Sequence, residues 1–215
     1  MPELSSESES KSDDLLLTEM NSMSSSFAPD AIRVHLVAIL KDENNPVFGQ
    51  VASVDGSGTP QIRTVHFRYL QNEKTFGFNT HIQSPKWMQL ERDRRISGVY
   101  FDRASLSQFR WAGSAELVGS EDSNNSDLIS EMWAGTPPDV QEAYWKCYQS
   151  RSMPIPLHLP CPTFGTVVCR PHLWDVYKMA SSKYADHERN IFTLLDGQWV
   201  EERVSTLNVR SLSVP

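Results

Sequence analysis

Residues 47–79 read VFGQVASVDGSGTPQIRTVHFRYLQNEKTFGFN, and this stretch decides the architecture. Val47–Val54 is a strand by its apolar, β-branched content. Asp55-Gly56-Ser57-Gly58 closes it, and an Asp-Gly step followed by a second apolar run signals a hairpin. Pro60–Leu70, rich in β-branched and aromatic residues, is the second strand. Gln71-Asn72-Glu73 is a turn, and Lys74–Asn79 is the third strand. Connections this short permit antiparallel neighbours only, because a parallel pair needs a crossover of a dozen or more residues.

Downstream the same grammar continues. Ser84–Arg94 reads as a helix with Ser84 as N-cap, Pro85 at the first position and Trp87, Met88 and Leu90 on the apolar side. Ile96–Phe101 and Leu106–Val118 are two more strands, followed by a polar loop over Gly119–Ser126. Asp127–Trp133 and Pro138–Ser150 read as short helices. Met153-Pro154-Ile155-Pro156 and Pro160-Cys161-Pro162 form a stiff extended connector. The last strands are Phe164–Cys169, Trp174–Met179 and Asn190–Leu194, with the Asp196-Gly197 turn leading into Trp199–Val204. Upstream, Pro29 suits a first helical position, and Ile32, Leu36, Ile39 and Leu40 fall on one helical stripe that Asn44-Asn45-Pro46 ends. Eight or nine short strands with a few helices predict a mainly β fold, an antiparallel barrel with peripheral helices.

Composition sets the boundaries. Of 215 residues, 39% are apolar, and the deficit concentrates in residues 1–26. That stretch holds nine Ser, six acidic residues and one Lys, so it carries −5 of the net −7 and leaves −2 for Phe27–Pro215. The reading is a disordered acidic tail over 1–26, a domain over 27–207 and a C-terminal tail over 208–215. A nearly neutral domain argues against nucleic acid as partner, since a phosphate-backbone binder needs a basic face. No apolar run is long enough to span a membrane, and no secretory signal precedes the domain. Cys147, Cys161 and Cys169 are odd in number and form no CxxC pair, so no disulfide framework and no metal site is indicated. The expected compartment is the cytoplasm. No GxGxxG or GxxxxGK[ST] is present.

Four stretches could carry chemistry. Arg63-Thr64-Val65-His66-Phe67-Arg68 puts two arginines on one strand, and arginine favours anions held bidentately. The pair points to opposite faces of a straight strand, so the two share a ligand only through a bulge or a second subunit. The alternative is one exposed arginine and one salt bridge. Asn79-Thr80 followed by Ser84-Pro85-Lys86 places hydroxyls and a lysine where a helix begins, an anion-binding position; a plain N-cap with a solvated lysine is the other reading. Gln108 and Arg110 share one strand face, with Phe109 and Trp111 on the other. Tyr177, His187 and Arg189 form the fourth group, which a solvated strand face would also explain.

In this order, these motifs resemble the pyridoxamine 5′-phosphate oxidase-like FMN-binding split barrels, over roughly Ala31–Leu207. The resemblance implies an antiparallel split barrel that binds FMN, with the cofactor held by Arg63, Thr64, Val65, Arg68, Asn79, Thr80, Ser84, Lys86, Gln108, Tyr177 and Arg189. It implies His187 and Arg68 as the catalytic residues facing a small-molecule substrate, and a homodimer with flavin sites at the subunit interface. The departures are specific. Pro85 stands in place of a basic residue, Tyr177 in place of a tryptophan and Ala185 in place of a substrate-holding arginine. Arg68 replaces the lysine of the authentic oxidases and is typical of a related subgroup. The region Asp127–Ser150 lacks an obvious counterpart of their substrate-phosphate tyrosine and arginine.

The resemblance therefore implies an FMN-dependent oxidoreductase acting on a small molecule, with hydride passing between substrate and flavin. The competing reading is a flavin-binding or interaction protein with no turnover, in which the acidic serine-rich tail docks a partner.

Overall fold

The computed structural model describes residues 26–42, 44–149, 155–180, 183 and 186–205. The expected tails, apart from Ser26, lie outside the described residues, as do Ala185 and the first part of the proline-rich connector. Eight strands form one antiparallel sheet: β1 (Val47–Val54), β2 (Pro60–Leu70), β3 (Thr75–His81), β4 (Arg95–Asp102), β5 (Ser107–Gly119), β6 (Phe164–Lys178), β7 (Glu188–Leu195) and β8 (Gln198–Arg203). β3 pairs with β6 as well as with β2, so β1, β2, β3, β6, β5 and β4 close into a six-stranded barrel. β7 and β8 continue from the far half of β6. Among the described residues, four helices surround it: α1 (Asp30–Leu40), α2 (Pro85–Arg92), α3 (Ser126–Ala134) and α4 (Pro138–Tyr148).

The barrel interior is aromatic. Phe76 lies edge-on to Phe27, Phe67 and Trp111, with centroids 5.2–5.6 Å apart. Edge-to-face contacts of this kind add to the burial of large apolar area. Ile32 and Leu36 of α1 close one end of this core. Pro29 precedes the helix as its N-cap residue and is not its first residue. Phe27 is buried; its carbonyl accepts from Trp174 Nε1 at 2.9 Å, and the Ser26 carbonyl accepts from Trp199 Nε1 at 3.1 Å. Ser26, which composition assigns to the tail, is thus tied to the domain together with Phe27.

A second core lies outside the barrel wall, where Leu128, Met132 and Trp133 of α3 and Trp145 of α4 cover Phe164 and Val168 of β6, with Leu70 of β2 and Val118 of β5. The first half of β6 is therefore buried on both faces, with Val167 and Cys169 inward and Phe164 and Val168 under the helices. Double burial gives the unbroken apolar run Phe164–Cys169 in place of strand alternation.

Phe164–Cys169 and Trp174–Met179, read as two strands, are one. Pro171 and His172 look like a break, yet the strand runs through them with a bulge. Leu173 pairs Ala112 and Pro171 pairs Gly113, which leaves His172 as the extra residue. A proline without an N–H is tolerated where the ladder is already interrupted. Gly113 is required there because a Cβ would collide with the Arg170 carbonyl oxygen. The loop read over Gly119–Ser126 contains a short 3₁₀ turn, Ser123–Asn125, and gives its last residue to α3. Lys74 lies in the turn at φ 47°, and β3 extends to His81.

Candidate functional site

The barrel ladder is shortest at two seams, β1–β4 and β2–β3, with three residue pairs each, and the second of these borders the site. β2 pairs with β3 only over Arg68–Gly77, Tyr69–Phe76 and Leu70–Thr75. Before Arg68, β2 is laddered to β1 alone, and after Gly77, β3 is laddered to β6 alone. The edge of β2 facing β3 over Arg63–Phe67 therefore lies outside the ladder. The α2 N-terminus follows directly from the diverging end of β3.

Four sequence-predicted residues converge at this end of the barrel. Arg63 shares the inward parity of Val65 and Phe67, and Thr80 that of Phe76 and Phe78. Lys86 Nζ donates to Thr80 Oγ1 at 3.0 Å, and Thr80 Oγ1 lies 3.0 Å from Ser84 Oγ. Ser84 caps α2, its Oγ accepting from Trp87 N. Arg63 donates from Nη1 to Ser53 Oγ at 2.5 Å and from Nη2 to Gln89 Oε1 at 2.8 Å. Burial lowers the pKa of Arg63. Burial, and then the Arg63 charge, lower that of Lys86. The hydrogen-bond partners of both cations in this cluster are neutral: Ser53, Gln89 and Thr80. Two half-buried positive charges, two hydroxyls and a helix N-terminus face one place, an arrangement that suits a phosphate.

A second group lies on the outer face of the sheet. Gln108 pairs Tyr177, and Tyr177 pairs Arg189, so the three form one row across β5, β6 and β7. The Tyr177 hydroxyl is hydrogen-bonded to His187 Nδ1. Arg189 is held by a two-pronged pair to Asp175, and Arg110 approaches the same carboxylate at 3.4 Å. Tyr177 lies twelve residues along β6 from Gly165, the partner of Thr80, or on the order of 40 Å of strand contour.

The remaining predicted residues sit elsewhere. Arg68 faces away from Arg63, with Nη1 at 3.4 Å from the Met132 carbonyl at the end of α3. Asn79 faces the same way, donating to Thr136 Oγ1 at 3.2 Å and accepting from Thr166 Oγ1 at 3.1 Å. Thr64 is exposed on the outer face, whereas the Val65 side chain is buried in the barrel, which leaves its backbone as the part a ligand could meet. Ser53, Gln89 and Asp175 escaped the sequence reading. The available signals were a serine at an inward position beside Val51, and an aspartate between Trp174 and Val176 in an apolar strand. Among the described residues, no cluster of three or more His, Cys, Asp and Glu could hold a metal ion, and no helix is long and apolar enough to cross a membrane.

The sequence profile of the pyridoxamine 5′-phosphate oxidase family matches residues 36–151, more than half of the chain. The chain belongs to this family. That match takes in the β2–β3 seam, the Arg63–Lys86 cluster and Gln108. Curated members of the oxidase family align more widely. The pyridoxine/pyridoxamine 5′-phosphate oxidase of Neisseria gonorrhoeae is 29% identical over 184 residues, covering 78% of this chain and 83% of its own. The enzyme of the same name from Synechocystis is 28% identical, covering 78% and 82%. Among solved structures, a pyridoxamine 5′-phosphate oxidase-related, FMN-binding protein from Nostoc punctiforme superposes with a TM-score of 0.70 at 21% identity, covering 82% of this chain and 97% of that one. PhzG from Burkholderia lata, solved with tetrahydrophenazine-1-carboxylic acid, superposes at 0.56 with 19% identity, covering 90% and 92%. At these identities the structural matches establish the split-barrel fold of the oxidase family and no more.

Proposed function

We propose that this chain binds FMN and is an FMN-dependent oxidoreductase acting on a small molecule, with each flavin site built from two copies of the chain. One observation carries the reading: Arg63 and Lys86 meet, half-buried, beside Thr80 and Ser84, with only neutral hydrogen-bond partners in the cluster. Without an anion that juxtaposition is unfavourable, since two like charges repel and both lose hydration. A phosphate monoester satisfies it. Arg63, Lys86, Thr80 and Ser84 would hold the phosphate, with the α2 N-terminal N–H groups behind them.

The ring end falls to Gln108, Tyr177 and Arg189. These lie on the outer face and far along β6, so a five-carbon ribityl chain does not join them to the phosphate cluster of the same copy. A twofold dimer brings the outer row of one copy to the β2–β3 seam of the other. The outer face of β1, β2, β4 and β5 suits such a contact. It exposes Phe48 and Ile62 and has a shallow concavity of about 250 Å³ lined by Ala52, Ser97, Val99 and Ala112.

When bound, FMN supplies hydride chemistry. The chain's own residues bind it and order the substrate side. His187, hydrogen-bonded through Nδ1 to the Tyr177 hydroxyl, would face a substrate. Arg68, at the carboxyl end of α3, would offer positive charge on the same side. The curated relatives make pyridoxine and pyridoxamine 5′-phosphates the first substrates to try. The test is the visible spectrum of the purified protein with added FMN, followed by anaerobic substrate addition. A flavin band that bleaches supports the oxidoreductase reading, and a protein that takes up no FMN refutes it.

A further inference from the structure

Asp175 is an unusual place for a carboxylate. It lies on β6 between Trp174 and Val176 and is 3% exposed. Its Oδ1 accepts from Arg189 Nε at 2.9 Å, and its Oδ2 from Arg189 Nη2 at 2.8 Å. Arg110, directly opposite on β5, brings Nη2 to 3.4 Å from Oδ2. One carboxylate therefore serves two guanidiniums, and the cluster keeps one net positive charge.

As a stability device this is a poor choice. Desolvating a carboxylate is costly, and well-packed apolar residues commonly do as well as a buried ion pair. As an orienting device it is effective. The two parallel bonds fix the guanidinium plane, which a single contact does not. They occupy two of the five N–H groups and leave three others, two of which form the Nη1/Nη2 edge. The rotamer entropy of Arg189 is then lost on folding and not on ligand binding, which favours affinity.

We propose that Asp175 is a positioning residue that presents Arg189, with Arg110 alongside, as a fixed cationic edge to the ring end of the flavin. The inference rests on the FMN reading above. It makes a claim that a structural ion pair does not: removing Asp175 should matter to FMN only while Arg189 is present.

The experiment is FMN titration, read by flavin fluorescence quenching, of the wild-type chain, Asp175→Asn, Arg189→Ala and the double variant. Asp175→Asn should weaken FMN by about tenfold, the scale of a charge-assisted bond, and Arg189→Ala by at least as much. The double variant should match Arg189→Ala within about twofold, because the two residues act as one unit. Asp175→Glu, which keeps the carboxylate, should recover most of the affinity. Should Asp175→Asn fail to fold, Arg189→Lys tests the same fork: lysine keeps the charge but cannot bond in parallel, and about tenfold weaker binding is expected. Wild-type affinity in Asp175→Asn or Arg189→Lys, or independent additive losses, would overturn the positioning role while leaving the FMN reading intact. A wild-type chain that binds no FMN would overturn both.

Discussion

The ammonium of Lys86 and the guanidinium of Arg63 come together at the split end of the barrel, and after burial the Arg63 charge is what lowers the Lys86 pKa. The fold thus holds two like charges in a half-buried place with neutral partners only. Removing either charge should harm anion binding and relieve the empty protein. Lys86→Met, which keeps the aliphatic stem, should weaken FMN by about 1–3 kcal/mol. Without ligand it should melt no lower than the wild type. Calorimetric melting with and without FMN checks both halves, and wild-type FMN affinity in both Lys86→Met and Arg63→Ala would refute the phosphate assignment.

Binding should depend on alkaline pH. Lys86 has a folded pKa below the ordinary lysine value of about 10.4. A lowered basic pKa means that the unfolded chain holds the proton more tightly, so the penalty is present while Lys86 is charged. That penalty fades as pH rises through the folded pKa. Empty-protein stability should therefore gain from this group in the window between the folded value and about 10.4. FMN affinity should fall over the same window as the charge is lost. A titration against pH, compared with Lys86→Met, isolates the effect; an identical alkaline profile in both proteins would count against it.

Phe76 is 2% exposed and touches Phe27, Phe67 and Trp111, all edge-on. Phe76→Ala should destabilise the fold by about 3–5 kcal/mol, the cost of a large aromatic lost from a packed core. Chemical denaturation measures this, and a loss under 1 kcal/mol would mean that the barrel interior is not packed as described.

Truncation should divide sharply at Phe27. Removal of residues 1–25 should leave the melting temperature and flavin content unchanged. Removal through Phe27 deletes a buried ring and two carbonyls that accept from Trp174 and Trp199, and should lower the melting temperature clearly. Equal melting of the two truncated proteins is the outcome that would contradict this.

Much of the fold was legible because turns and period-2 alternation are local. The Asp55–Gly58 hairpin is specified by its own residues: the Asp55 carboxylate accepts from Ser57 N, Ser57 Oγ and Thr59 N, and Gly58 sits at φ +87°. Alternation also placed Arg63 and Arg68 on opposite faces. What was hidden is non-local. Pro171 reads as a break, and only pairing with Gly113 turns it into a bulge. The separation of β2 from β3, before Arg68 on one strand and after Gly77 on the other, leaves no mark on either strand alone. Gln89 and Ser53 reach Arg63 from another helix and another strand, so no spacing in sequence reports them. The role of Asp175 needs β5, β6 and β7 to be side by side.

The most direct test of the central claim is complementation between two defective chains. One chain carries Arg63→Ala and Lys86→Met at the phosphate end, and the other carries Gln108→Ala and Arg189→Ala at the ring end. Purified alone, each should bind FMN weakly. Co-expressed with different tags and isolated as the mixed dimer, they should contain one intact site, formed by the phosphate end of the second chain and the ring end of the first. The account predicts tight binding of one FMN per mixed dimer. A mixed dimer that binds no better than either parent, beside a wild-type protein that binds FMN, would contradict a site shared between two copies.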